Sequence, residues 1–380
     1  MKNLLSAVML VVGLAACAGP PQTPAKAHPT PAPTAVAASP TTPPPSGPLF
    51  AVLEGNSPET GTQADTVAIV GLDGRAVAKA RFTPRQPLSL GNTAVMLQSE
   101  AQVGRDGVYY ADGTGVVRLL KRSGDAVVVA TFAMTPVQHE LWYAVNPDGS
   151  QLLAAVLTAP DLGPPEGGTP WPSLHGSFKF DLESATAGGA TRILQHTEMP
   201  YGADPVTQDP CPVLPVGWTA AGPVAMVNAP LATQNEWWGG SLFTVDGSGR
   251  PAARVGGSTC TAAQVLLSGV VPCITPSSAG HAVEVRDAAG HVLWRPSVEA
   301  YSALALRLTP DATAIALGPT AETRDRKFAL PNDFRAQGWL DARTVVGRTS
   351  GGNLSYIRLD SPSLVHDLGF KGDFVGLLPG

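Results

Sequence analysis

The sequence predicts an all-β fold, a propeller built from repeated four-stranded sheets, and three observations lead there. Charged residues make up 14% of the 380, against about 25% in an ordinary globular chain, while glycine and proline number 41 and 37. Short runs rich in Val, Leu, Ile, Phe and Tyr alternate with the turn dipeptides Asp73-Gly74, Asp112-Gly113, Asp148-Gly149 and Asp246-Gly247. No window sustains a helical period of three turns, and the strand-like runs recur in fours every forty to fifty residues or so.

The elements follow in chain order. Residues 1–16 carry a single early cation, Lys2, and an apolar run from Leu4 to Leu14 that is too short to span a bilayer as a helix. The run ends in Leu14-Ala15-Ala16-Cys17, which resembles a bacterial lipobox. That resemblance implies a signal peptide over 1–16 and a mature chain beginning at Cys17, acylated with diacylglycerol and palmitate. Cysteine suits the role because its sulfur is the nucleophile that can carry a thioether-linked lipid. The expected location is extracytoplasmic, tethered by lipid to the cell membrane or the outer membrane. Residues 17–48 form a linker. Positions 18–48 hold eleven prolines among thirty-one residues and no Asp, Glu, Phe, Trp or Tyr, so this stretch cannot build a packed core. Proline stiffens it towards polyproline II, at about 3.1 Å per residue.

Residues 49–380 are left to fold. Leu141 to Val145, Asn146-Pro-Asp-Gly149 and Gln151 to Val156 read as a hairpin, followed by strands at Ser177 to Leu182 and Thr191 to Leu194. The same order recurs in Val213 to Trp218, Val224 to Asn228, Ser241 to Val245 and Pro251 to Val255. A third copy is Ala263 to Leu267, Val270 to Ile274, Ala282 to Arg286 and Val292 to Trp294. Looser copies run through Ala303 to Leu308 with Ala314 to Leu317. They continue through Gln337 to Leu340, Thr344 to Arg348, Leu354 to Leu359 and Leu364 to Leu368. The strand count fits seven blades best, at about 47 residues each, with six and eight also compatible. Each blade must cover its neighbours, so the ring has to close, and the closing Phe374 to Leu378 is expected to pair beside residues 49–53.

The inner-hairpin turns Asn146-Pro-Asp-Gly149 and Thr309-Pro-Asp311 resemble those of the TolB-like and WD40-like propeller superfamily, although the Trp-Asp dipeptide of true WD40 repeats is absent. Beyond Cys17 there are three cysteines, Cys211, Cys260 and Cys273. An exported domain favours a disulfide. Cys260 with Cys273, on consecutive segments of one hairpin, is the first pairing to expect, and Cys211 with Cys260 is the second.

The formal net charge of −5 and the lack of a Lys/Arg cluster give no footprint for nucleic acid. There is no Gly-x-Ser-x-Gly elbow, no glycine-rich phosphate loop and no acidic calcium loop. His139-Glu140 starts like a zinc-peptidase motif, but Tyr143 stands where the second histidine belongs. No catalytic residue, metal ligand or cofactor site is therefore assigned. The departure from blade economy lies in two long connections and one blade-to-blade segment. Trp171 and His175 fall in 159–175, Trp237 and Trp238 in 229–239, and Tyr201 in 197–212. In a propeller all three would emerge on one rim, where aromatic rings offer stacking area for a peptide or glycan. Trp142, Trp218, Trp294 and Trp339 lie in or beside strands and read as core. The expected function is a non-catalytic binding or scaffolding module at the cell envelope, with an envelope protein, peptide or glycan as partner. The alternative is a propeller enzyme acting on an extracellular glycan or lactone.

Overall fold

A computed structural model describes residues 47–55, 64–84, 88–90, 93–95, 101–134, 139–158, 161–165, 172–175, 177–200, 213–227, 239–277, 280–300 and 303–379. It begins with an antiparallel meander of β1 (Leu49–Glu54), β2 (Thr66–Gly71) and β3 (Ala76–Arg81). A short hairpin of β4 (Leu88–Leu90) and β5 (Thr93–Val95) follows. The next sheet is β6 (Ala101–Val103), β7 (Gly107–Ala111), β8 (Val116–Lys121) and β9 (Ala126–Thr131). After it come β10 (His139–Val145) and β11 (Gln151–Thr158), then an inserted hairpin of β12 (Asp161–Pro165) and β13 (Pro172–His175). Strands β14 (Ser177–Thr186) and β15 (Thr191–Pro200) complete the sheet that β10 and β11 began.

The pattern repeats in β16 (Leu214–Thr219), β17 (Gly222–Val227), β18 (Ser241–Val245) and β19 (Pro251–Val255). A three-stranded sheet holds β20 (Val271–Ser277), β21 (Gly280–Arg286) and β22 (Val292–Trp294). Past a single 3-10 turn, Ala303–Ala305, lie β23 (Arg307–Leu308), β24 (Ala314–Leu317), β25 (Thr320–Thr323) and β26 (Lys327–Ala329). The last sheet is β27 (Arg335–Asp341), β28 (Thr344–Arg348), β29 (Asn353–Arg358) and β30 (Val365–Leu377). Strand β30 serves two sheets. Residues up to Lys371 pair with β29, and Gly372 to Leu377 pair antiparallel with β1. The two ends of the domain thus meet in one sheet, where the sequence expects them. Serial four-stranded antiparallel meanders, packed in succession and closed end to end, make this an all-β propeller.

Burial explains why such sequences stack. Some middle strands are covered on both faces: β2, Thr-Val-Ala-Ile-Val-Gly, is buried at every residue, and so is β7, Gly-Val-Tyr-Tyr-Ala. Outer strands such as β3 and β19 are largely exposed. The apolar residues accordingly form layers between successive sheets instead of one central core. Val108 and Tyr110 pack with Val67 and Ile69, Tyr109 and Leu119 with Leu141 and Tyr143, and Phe50 and Val52 with Val346 and Leu354. Trp142 and Trp339 are buried in these layers, and Trp218 and Trp294 are packed half-buried against them.

Three expectations need correction. Ala263 to Leu267 does not form a strand. Its neighbours are pinned alternately to two sheets, with Ala262 bonded to Gly240 and Thr261 to Ile274, so no continuous ladder can extend. At two of the Asp-Gly dipeptides the turn also lies differently. Asp112 and Asp246 open four-residue turns in which Gly115 (φ 81°) and Gly249 (φ 85°) take the left-handed position, not Gly113 or Gly247. The aspartate is chosen for its side chain: Asp246 Oδ1 accepts from the Ser248 N–H at 2.8 Å and the Arg250 N–H at 3.0 Å. The connection expected over 197–212 also begins later, since residues 197–200 still belong to β15, where Glu198 lies 3.7 Å from Lys179 of β14.

Candidate functional site

At several junctions the first strand of one sheet lies next to the first strand of the following sheet, and polar side chains there join the two. Gln102 of β6 donates from Nε2 to the Tyr143 carbonyl of β10, while its Oε1 accepts from the Val145 N–H at 3.2 Å. A glutamine amide carries one acceptor and a donor in the same plane, so it completes the main chain of the next strand as a peptide group would. Gln337 of β27 does so in part: its Oε1 accepts from the Phe374 N–H at 2.8 Å, while its Nε2 donates to the side-chain carboxylate of Asp373, both on β30.

Other sheets are tied by different side chains. The Trp142 indole donates to the Pro215 carbonyl of β16, Gln264 Nε2 to the Leu306 carbonyl at 2.7 Å, and Trp339 Nε1 to the Arg307 carbonyl at 2.8 Å. Approach at this seam is close: a Cβ added at Gly338 would lie 2.3 Å from the Phe374 ring.

A charged cluster sits in the same seam. Asp373 accepts from Arg348 Nη1 at 2.9 Å, and Arg307 donates from Nε to the Gln337 carbonyl at 2.9 Å. Burial pulls the Arg307 pKa down, and the nearby Asp373 carboxylate opposes that fall. Beside the cluster opens a cavity of about 480 Å³ whose wall includes Glu299, Arg307, Lys327 and Arg335. It lies at the Gly318-Pro319 turn between β24 and β25 and at the segments leading into β23 and β27.

Of the residues singled out in the sequence, Cys17, Trp171, Tyr201, Trp237 and Trp238 lie outside the described residues, as does Cys211. His175 ends β13, its backbone paired with Asp161, so part of the expected loop is a small two-stranded sheet. The topology does relate the three segments. Residues 159–176 and 228–240 each join the second strand of a four-stranded sheet to its third, and 201–213 join β15 to β16. Cys260 and Cys273 are joined in a disulfide with Cα atoms 4.9 Å apart. Among the described residues no group of three or more His, Cys, Asp or Glu is placed to hold a metal ion.

Sequence reasoning passed over Gln102, Gln264, Arg307, Gln337 and Asp373. No local signal marks them, since the role of each depends on which main chain lies beyond its side chain.

No protein-family model matches this sequence, and no curated protein matches it. Among solved structures the chain is similar to TolB from Acinetobacter baumannii, with 14% identity over 88% of this chain and 67% of that one and a TM-score of 0.39. It is also similar to an oligogalacturonate lyase from Vibrio parahaemolyticus, with 8% identity over 84% and 90% and a TM-score of 0.45. A third is the dihydro-heme d1 dehydrogenase NirN, with 13% identity over 87% and 74% and a TM-score of 0.43. The propeller is defined by this chain's own strand pairing, and the likenesses add no function to it.

Proposed function

We propose that this protein is a lipid-anchored, extracytoplasmic propeller of seven blades that binds or scaffolds at the cell envelope and is not an enzyme. One observation carries the non-catalytic reading. Polar side chains of the inner strands are spent on joining one sheet to the next, Gln102 to β10 and Gln337 to β30, and Gln264, beside them, reaches the Leu306 carbonyl. Catalysis in a propeller centre needs several such groups converging on a reacting atom instead.

Seven blades are supported by the way the pairings group. The second half of β30 with β1–β3 makes one, and six further sheets follow, the last ending in the first half of β30. The blade of β20–β22 lacks a full inner strand, with the Thr261–Ile274 bridge in its place. The anchor is Cys17, which precedes the proline-rich linker in the sequence. The partner, an envelope protein, peptide or glycan, meets the rim formed by Trp171, His175, Tyr201, Trp237 and Trp238. Rigid aromatic rings in connections offer contact area at low entropic cost.

The test has two parts. Replacing Cys17→Ser should abolish lipid labelling and release the protein from membranes. Trp237→Ala with Trp238→Ala should keep the melting transition and abolish co-purification of the partner after cross-linking in cells. A Cys17→Ser protein still wholly in the membrane fraction overturns the anchor. A double mutant that unfolds shows the indoles to be core and overturns the rim.

A further inference from the structure

We propose that the Asp106-Gly107 peptide is a site of spontaneous isoaspartate formation, the one of the chain's five Asp-Gly pairs that the fold leaves open to it. In this reaction the main-chain nitrogen of the glycine attacks Cγ of the aspartic acid. The hydroxyl of the acid leaves with the amide proton as water, and a five-membered succinimide ring remains. A second water then opens the ring at either carbonyl. Breaking the bond from nitrogen to Cγ restores aspartate. Breaking the bond to the main-chain carbonyl gives isoaspartate, with no net change of mass. Glycine favours the attack because it has no side chain to crowd its nitrogen or to restrict the backbone rotation required.

The reaction needs a carboxyl free to turn onto the next nitrogen. Four of the pairs deny this, because the carboxylate is held by a main-chain N–H of its own turn. Asp73 Oδ1 accepts from the Arg75 N–H at 3.1 Å and Asp112 Oδ1 from the Thr114 N–H at 2.9 Å. Asp148 Oδ1 accepts from the Ser150 N–H and Asp246 Oδ1 from the Ser248 N–H, each at 2.8 Å. In three of these the nucleophile is tied as well. The Gly74 N–H donates to the Gly71 carbonyl at 3.0 Å, that of Gly113 to Thr83 at 2.9 Å and that of Gly149 to Asn146 at 2.9 Å.

Asp106 differs on both counts. It is exposed, and its carboxylate accepts no hydrogen bond from a described residue. Residues 105 and 106 make an open bend between β6 and β7. The Gly104 N–H donates to the Gly107 carbonyl at 2.9 Å, but the return bond, from the Gly107 N–H to the Gly104 carbonyl, is not made. Acid and nitrogen are thus both spared the bonds that tie them at the other turns. The product would carry one extra methylene in the main chain at that bend. Strand β6 bears Gln102, which joins this sheet to β10, so the change falls beside a link between sheets.

To test this, the full mature chain in detergent is aged for weeks at mildly acid pH, beside a sample kept unfolded in urea. Isoaspartate is counted with an isoaspartyl-specific O-methyltransferase and labelled S-adenosylmethionine, and is placed by electron-transfer fragmentation of tryptic peptides. In the folded chain Asp106 should isomerise at least about tenfold faster than the other four, since each of those must first give up a hydrogen bond to its carboxylate. In urea the five rates should draw together. Asp106→Glu, which would have to close a less favourable six-membered ring, should remove the methyl acceptor of the folded chain at an unchanged urea midpoint. Isoaspartate spread evenly over the five pairs of the folded chain overturns the proposal, and so does undiminished methyl labelling of the Asp106→Glu chain. A preference for Asp106 that persists in full in urea would place its cause in the sequence and overturn it too.

Discussion

Removing the last nine residues, 372–380, should cost the domain most of its stability, because those residues join its last sheet to its first. They supply every partner that β30 gives to β1, from Gly372 opposite Glu54 to Leu377 opposite Phe50. Leu378 is 3% exposed, and its N–H donates to the Leu49 carbonyl at 2.9 Å. Phe374, Val375 and Leu377 pack half-buried on both sides of the junction, with the Phe374 ring 5.9 Å from that of Phe50. Four apolar side chains, taken at the low end of about 1.5 kcal/mol each because three are only partly covered, amount to roughly 6 kcal/mol. That is comparable to the whole stability of an ordinary domain, about 5–15 kcal/mol. The strand also leaves β1 with an open apolar edge when it goes.

Urea unfolding followed by tryptophan fluorescence should therefore show no native baseline for the 372–380 deletion. Deletion of 18–46, whose composition cannot build a core, should leave the midpoint unmoved. Gly372→Ala probes the same junction more finely. The residue sits at φ 156°, and an added Cβ would lie 2.0 Å from the Leu53 carbonyl oxygen. Backbone strain of that kind costs roughly 1–3 kcal/mol, so the variant should fold with a lower midpoint. Equal midpoints for the two deletions, or a Gly372→Ala protein as stable as the parent, would refute the closure argument.

Two further outcomes follow from the same geometry. The Cys260–Cys273 disulfide closes a loop of 13 residues and should contribute about 3 kcal/mol, so Cys260→Ala with Cys273→Ala should lower the urea midpoint accordingly. In the Cys17→Ser chain, denatured without reductant, one thiol should react with Ellman's reagent, that of Cys211, and three after reduction; three before reduction would disprove the bridge. The hydrogen bond from His196 Nδ1 to Asp181, at 2.5 Å, raises the histidine pKa above 6.5, opposed by burial and reinforced by Glu198. The folded state thus favours protonated His196: its contribution is full below the ordinary histidine range and is lost as pH rises through the elevated value. An NMR titration of the ring should give a midpoint above 6.5 that falls in Asp181→Asn, and a midpoint unmoved by that change would contradict the assignment.

How much was legible in the sequence depended on whether the information was local. Strands β10 and β11 could be read because their turn is encoded on the spot: Asn146 to Gly149 closes with the Gly149 N–H on the Asn146 carbonyl at 2.9 Å, and Gly149 takes φ 75°. Strands β25 and β26 could not, since Thr-Ala-Glu-Thr and Lys-Phe-Ala are short and hardly apolar. Ala321 is fully buried only because the neighbouring sheets cover it. The hairpin β12–β13 was hidden by Pro164, Pro165 and Pro172, which argue against a ladder; its register is irregular between Leu162 and Pro165.

The seam was illegible for a deeper reason. An isolated Gln102 or Gln337 looks like any polar residue on a strand, and its meaning depends on which main chain lies beyond its amide. That is a property of the ring, not of the repeat. A ring joined through its inner strands in this way fixes those residues by their structural duty. Arg307 carries the same kind of duty, holding β27 through the Gln337 carbonyl, so its replacement should lower the unfolding midpoint.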